Sequence, residues 1–282
     1  MVYTFIDMSE QEFETLSRLI TARYGIKLPT EKRVMVQARL QSRLRQLQFL
    51  SFKDYCDYLL TPVNTEVELE QMISLVSTNK TEFFREDQHF KYLQKNVLPE
   101  LTAQVKDNGE TVLKCWSAGC SGGQEAFSIA MVIDNYFRQL EPKFDFSILG
   151  TDVSGKVLIQ AITGIYPLKE ASQIPKKFLK QYVLKSKDQS NPRIKISKGL
   201  RNKVRFQSGN LMDKEYDLEK TFQIVFLRNT LIYFGHEDQT AILEKVLRYL
   251  EPGGYLFIGH SESLINLQLP IRIIAPSIYQ KL

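Results

Sequence analysis

Residues 114–128 read KCWSAGCSGGQEAFS, and the fold turns on them. An apolar run leads in: Val112, Leu113 and Trp116 read as a buried strand. Gly119, Gly122 and Gly123 then permit a tight turn and let a ligand approach the backbone without side-chain collision. From Gln124 onward, Phe127, Ile129, Ala130, Met131, Ile133 and Phe137 recur at helical spacing. Strand, glycine turn and helix in that order build a cofactor cradle at the end of the first strand of an α/β domain. Taken alone, the same residues make an ordinary glycine turn, so the flanking sequence has to decide.

Downstream of Thr111, strands are expected at 112–116, 145–150, 203–207, 222–227 and 254–259, with helices at 124–140, 154–162 and 238–250. Strands that alternate with helices predict a doubly wound, mostly parallel sheet. The last segment, Ile271 to Tyr279, is apolar and β-branched, with Pro276 predicting a bulge or an edge. Residues 164–205 break the rhythm with Gly164, Pro167, Pro175 and Pro192 and short alternating runs, which predicts a small antiparallel insertion. Between Lys185 and Arg205 it carries eight Lys or Arg against the single Asp188.

Upstream, residues 1–75 carry helical periodicity and no strand signal. Phe13, Leu16, Leu19 and Ile20 predict a helix ending near Gly25; Val36, Leu40, Leu44 and Leu47 predict a second. Phe52, Tyr55, Leu59 and Leu60 predict a third, stopped by Pro62. The 282 residues therefore divide into a helical N-terminal domain, 1–75, and a larger domain, 76–282, with the insertion inside it. Cys56, Cys115 and Cys120 form no paired framework, which favours a reducing compartment, and Cys115 and Cys120 read as small buried residues. His89, His236 and His260 are too scattered in sequence to suggest a metal site. With no signal-peptide pattern and no apolar run near ~20 residues, a soluble cytoplasmic protein without membrane insertion is expected.

The dinucleotide fingerprint fails here, because Gly119 is followed at the required offsets by Ser121 and Gln124. The turn also lacks the lysine of a phosphate-binding loop. The second strand ends in Gly150-Thr151-Asp152, which places an acid where ribose hydroxyls are held in nucleotide-binding folds. Its alternative is a helix N-cap, and both roles fit if Ser154 caps while Asp152 faces the ligand. Glu251-Pro252-Gly253-Gly254 is a helix stop, a turn and a strand start. Following a helix and leading into a late strand, this turn resembles the habit of class I methyltransferases that use S-adenosylmethionine, a cofactor with a ribose and no phosphate that suits an acid plus glycines without a lysine.

With these pieces in order, the chain resembles the chemotaxis-receptor glutamate methyltransferases, the CheR family. The resemblance rests on TNKTEFFRE (78–86), WSAGCSGGQEAFS (116–128), GTD (150–152), GNLMD (209–213), FLRNTLIYF (226–234) and EPGGYLFIGHSESL (251–264). It implies a class I S-adenosylmethionine-dependent fold, Rossmann-like with a mostly parallel sheet, preceded by a small all-α domain and carrying a small antiparallel β subdomain. It further implies that Asn79, Thr81 and Arg85 contact the methionine end, with Arg85 on the cofactor carboxylate or orienting the incoming glutamate. Glu125 is the acid of the glycine-loop word, and Asp152 holds the ribose. Asn210 and Leu211 flank the adenine, Leu227 and Arg228 lie near the sulfonium, and Tyr233 lies close to the transferred methyl. The glycine loop departs from the family habit, reading Ser-Gly-Gly-Gln-Glu-Ala-Phe-Ser where Ser-Thr-Gly-Glu-Glu-Pro-Tyr-Ser is usual.

The implied reaction gives a glutamyl methyl ester and S-adenosylhomocysteine. A glutamate with a pKa near ~4.3 is ionised at neutral pH, so no general base is needed and orientation carries the catalysis. Lys27, Lys32, Arg33, Arg39, Arg43 and Arg45 face only Glu31 in their stretch. The resemblance makes the helix near Arg33, Arg39 and Arg43 the dock for the acidic helical region of cytoplasmic receptor domains, with a monomer and no metal expected. The basic insertion lacks glycine at its tip, Lys187 to Pro192, which argues against receptor-tail binding there. Two rivals remain. A nucleic-acid methyltransferase lacks support, since neither an Asn-Pro-Pro-aromatic nor a Pro-Cys motif occurs and the basic regions are poor in aromatics. A non-catalytic receptor adaptor draws only on the altered glycine loop.

Overall fold

The computed structural model describes residues 5–77, 79–108, 112–141, 144–218, 221–264 and 267–282. Thr78, the first letter of the 78–86 word, lies outside them.

Four helices come first: α1 (Glu10–Tyr24), α2 (Arg33–Leu47), α3 (Phe52–Leu59) and α4 (Pro62–Val76). Ser9 and Glu12 close a reciprocal capping box at the start of α1, and Gly25 ends it in the left-handed conformation. Pro62 opens α4 where the sequence predicted a stop. Proline is tolerated in a first turn because its missing N–H has no intrahelical acceptor there. The helices share one core, in which Leu16, Ile20, Leu40, Leu44, Phe52 and Ile73 are buried.

Two further helices, α5 (Gln88–Tyr92) and α6 (Leu98–Asn108), joined by a π-helical turn, lead into the sheet. The remaining elements are β1 (Val112–Ala118), α7 (Gln124–Phe137), β2 (Asp145–Asp152), α8 (Gly155–Thr163), β3 (Ile165–Pro167), α9 (Lys176–Tyr182), β4 (Val183–Lys185) and β5 (Arg193–Ile196). They continue with α10 (Lys198–Arg201), β6 (Val204–Ser208), β7 (Phe222–Leu227), α11 (His236–Tyr249), β8 (Leu250–Ile258), β9 (Ile271–Ala275) and β10 (Ile278–Lys281).

The main sheet runs β6-β2-β1-β7-β8-β10-β9, and a separate antiparallel sheet runs β3-β5-β4. Pairing is parallel from β6 through β8, then antiparallel at β10 and β9. Pro276 and Ser277 make the turn between β9 and β10, with Ser277 at positive φ, and the register shifts just after it. Pro276 therefore lies at a hairpin turn leaving an edge strand. The parallel strands are covered on both faces, as parallel strands require. Cys115, Ile224 and Phe226 pack with α7 on one face; Trp116, Val225 and Leu227 pack with α11 on the other.

The strand order reverses between β1 and β7, since β2 and β6 extend one way and β8 the other. Open α/β sheets bind ligands beyond the carboxyl ends of strands at such a switch point. The register aligns those ends: Ala118 pairs with Thr151, Ser117 with Phe226 and Asp152 with Ser208.

Candidate active site

A cavity opens at that switch point. The residues that follow four of the parallel strands line it: Gly119 after β1, Val153 after β2, Gly209 after β6 and Arg228 after β7. The segment between α4 and α5 supplies Asn79, Thr81 and Arg85, while Tyr24, Leu28 and Lys32 reach in from the helical N-terminus.

Asp152 lines the cavity at the end of β2 and is 9% exposed. One carboxylate oxygen accepts the Ser121 N–H (2.8 Å) and the other the Ser154 N–H (2.9 Å). The acid thus ties the glycine turn to the β2–α8 turn. Ser154 makes no side-chain cap, and among the described residues its buried hydroxyl has no partner, so the capping expected of it is not made. Burial pushes the Asp152 carboxyl above its ordinary range, against these backbone bonds.

Glu125 sits in the first turn of α7, accepting from Ser117 Oγ (2.7 Å) and from Arg228 Nη1 (3.1 Å). Burial raises its pKa and the Arg228 charge opposes the rise. Arg228, 5% exposed, holds Glu86 with its other terminal nitrogen (2.9 Å) and also donates to the Arg85 carbonyl. Burial works to raise the Glu86 carboxyl, but bonds from Arg228 and Asn229 outweigh it and hold it below the usual range. Arg228 is thus a strut joining α7, the 79–86 segment and β7.

Among the described residues, Arg85 pairs with neither Glu82 nor Glu86. Its guanidinium lines the cavity and donates to the Lys80 carbonyl (3.1 Å). That leaves further N–H groups for a carboxylate. Tyr233 is half-buried in the cavity wall with the Lys32 ammonium 5.7 Å from its ring. Burial raises its pKa, and the nearby Arg85 charge works the other way. Asn79 donates to Ser77 Oγ (3.1 Å), and its carbonyl accepts from Ser121 (3.4 Å).

Nine of the ten anticipated residues line the cavity: Asn79, Thr81, Arg85, Glu125 and Asp152, with Asn210, Leu211, Arg228 and Tyr233. Leu227 does not. As the last residue of β7 it points into the α11 core and is fully buried. Asn210 spends its amide on structure, donating to the Arg23 carbonyl (2.8 Å) and accepting from Met212 N–H (3.0 Å).

The sequence reading missed Glu262. This buried carboxylate accepts the N–H groups of Gly259 (2.7 Å), Asn229 (2.9 Å) and Ile232 (3.3 Å) and so shapes the loop that carries Arg228 and Tyr233. It also missed the close approach of His89 and His260, whose rings lie 4.7 Å apart. The scatter of the histidines in sequence does not hold in space. Among the described residues, four of the six non-glycine residues at positive φ, Phe84, Glu86, Ser121 and Asn229, lie in or beside this wall. Strained backbone held by its surroundings is a mark of functional sites.

The donor set fits S-adenosylmethionine. Each Asp152 oxygen retains an acceptor site for a ribose hydroxyl. The turn presents Gly119, Cys120 and Ser121 to the cavity with no lysine for a phosphate, and Val153, Leu211 and Phe234 add apolar wall.

The arginines of α2 are engaged internally. Arg33 donates to the Met8 carbonyl (2.7 Å) and Arg39 to the Val76 and Ser77 carbonyls (both 2.8 Å). Arg43 is paired in bidentate fashion with buried Glu68, which also accepts from Tyr55. The expected docking arginines therefore hold the helical unit together, and Arg43 is neutralised by its partner. Among the described residues no helix is long and apolar enough to cross a membrane.

Residues 79–278 match the family described as CheR methyltransferase, SAM binding domain, and residues 11–77 match the CheR methyltransferase, all-alpha domain. A chemotaxis protein methyltransferase of Borreliella burgdorferi is 33% identical over 276 residues, covering 98% of this chain and 96% of that protein. Those of Salmonella typhimurium and Escherichia coli are each 32% identical over 272 residues, 96% of this chain and 90% and 91% of theirs. With the cofactor-binding description covering most of the cavity wall and relatives matched over nearly their full length, the chain belongs to the CheR methyltransferase family and is an S-adenosylmethionine-dependent methyltransferase.

Proposed function

We propose that this chain transfers the methyl group of S-adenosylmethionine to glutamate side chains of chemotaxis receptors, with Arg85 and Tyr233 at the reaction centre. One observation carries the reading: Arg85 lines the cavity beside Tyr233, and among the described residues its guanidinium has no carboxylate partner. When bound, the cofactor supplies an electrophilic methyl on a sulfonium. Asp152 holds the ribose hydroxyls, Val153, Leu211 and the Asn210 backbone form the adenine side, and Asn79 and Thr81 bound the methionine end. Arg85 binds a carboxylate, that of the cofactor or of the substrate glutamate, and fixes its direction. Glu125 and Glu86 hold the Arg228 strut, and through it the Arg85 backbone. No proton has to move, because the glutamate arrives ionised; the residues contribute alignment.

The same reading places the protein in the cytoplasm as a monomer, with a helical unit at 1–75, a methyltransferase unit at 76–282 and the β insertion at about 164–205. The extents of the two family descriptions support that division. The α2 face near Arg33, Arg39 and Arg43 docks the receptor helices. Arg33 and Arg39 bond only carbonyls and keep their charge, whereas Arg43 contributes shape more than field.

Steady-state methylation of a receptor cytoplasmic fragment tests the reaction centre. Arg85→Ala is expected to lower kcat/KM by about 10- to 100-fold, the worth of one charged hydrogen bond. Tyr233→Phe is expected to lower kcat while cofactor affinity holds. Unchanged rates in both variants would remove these residues from the centre.

A further inference from the structure

Glu86, His89 and His260 each bring a ligand atom within 4.8 Å of the others. His89 is 1% exposed, and among the described residues neither of its ring nitrogens has a hydrogen-bond partner. Buried polar groups are nearly always satisfied, so an imidazole with both nitrogens orphaned calls for a ligand. Its Nδ1 lies 3.6 Å from Glu86 Oε2, and its ring meets His260 edge-on at 4.7 Å. Phe257 packs edge-on against it at 5.7 Å and helps fix its orientation.

We propose that Glu86, His89 and His260 form a binding site for a divalent transition ion of the zinc class. Two imidazoles and a carboxylate, with solvent at the fourth position, are the donor set such ions take; magnesium and calcium prefer oxygen donors. Zinc bonds of ~2.0–2.2 Å require the three donors to draw in. His260 is exposed, so its side chain has room to swing toward His89. Glu86 is oriented by Asn229 Nδ2 (3.1 Å) and Arg228 (2.9 Å), the hydrogen-bonded outer shell that ligating carboxylates use. The Arg228 charge opposes the ion and keeps affinity moderate. Arg228 and the ion would share Glu86, so the site adjoins the strut behind the cavity.

Cobalt(II) titration of the metal-free full chain, read by visible absorption, tests this together with zinc equilibrium dialysis. The expected result is one cobalt per chain with a tetrahedral d–d band, displaced by zinc, and affinity about tenfold or more weaker in His260→Ala and Glu86→Gln. His260 lies on the surface, so its replacement leaves the core intact. The absence of saturable binding, equal affinity in His260→Ala, or a thiolate charge-transfer band from the buried cysteines would overturn the site.

Discussion

Asp152 does two jobs with one carboxylate. It clamps the glycine turn through Ser121 and the next turn through Ser154, and it offers its remaining acceptor sites to the cavity. Its raised pKa has a signed consequence. Folding favours the protonated form, so the contribution of Asp152 to apo stability is full below the ordinary carboxyl pKa and is lost as pH rises through the folded value. Ribose hydroxyls favour the ionised form, so cofactor affinity should fall as pH drops through that raised value. Calorimetric titration of S-adenosylhomocysteine from pH 7 downward should show weakening earlier than an unperturbed aspartate would give, and Asp152→Ala should bind weakly throughout. Affinity that stays flat down to the ordinary carboxyl range would contradict the role. Close by, the unusual Gly122-Gly123-Gln124 forms a compensated pair. A Cβ on Gly122 would meet Gln124 Oε1 at 2.7 Å, so the Gln124 amide fills the space left by the missing side chain. Gln124 Nε2 reaches Glu170 (3.2 Å), and the carboxylate of Glu125 keeps its place.

At the scale of elements, the parallel strands were legible because burial on both faces makes them continuous apolar runs, and glycine and proline punctuate them. Helix α4 was not, because Pro62 reads equally as a stop or as a first-turn residue, and only the packing of Leu69, Met72 and Ile73 decides. The acid, the glycines and the arginine of the site were legible as local words. Glu262 and the Glu86–His89–His260 cluster were not, since each forms only when segments far apart in the chain converge. The helical unit's share of the wall was hidden for the same reason. Gly25 is the joint there: at φ +67° it ends α1, and a Cβ would lie 2.5 Å from Met212 Sδ and 2.9 Å from a Phe234 ring carbon. Gly25→Ala is therefore expected to lower stability by about 2–4 kcal/mol, combining left-handed strain with overpacking. It should also weaken cofactor binding by shifting the loop beside Asn210. Denaturant unfolding checks the first effect, and a change under about 0.5 kcal/mol would contradict the account.

For the whole molecule, the helical unit completes the cavity. Arg23 pairs with Asp213 (2.8 Å), Asn210 reaches the Arg23 carbonyl and the Lys27 N–H reaches the Tyr233 carbonyl (3.1 Å). The end of α1 and the segment after it are thus mechanically continuous with the wall that carries Tyr233. With a net charge of +5, the proposed docking of an acidic receptor region predicts methylation whose KM rises with salt while kcat holds. Arg43→Ala should act through stability, since it strands buried Glu68. Most direct of all is the chemistry of the product. Incubated with methyl-labelled S-adenosylmethionine, receptor cytoplasmic fragments and nucleic acid together, the chain should place label on the receptor alone, released as methanol by mild base. Base-stable label, label on nucleic acid, or none would contradict glutamyl ester formation.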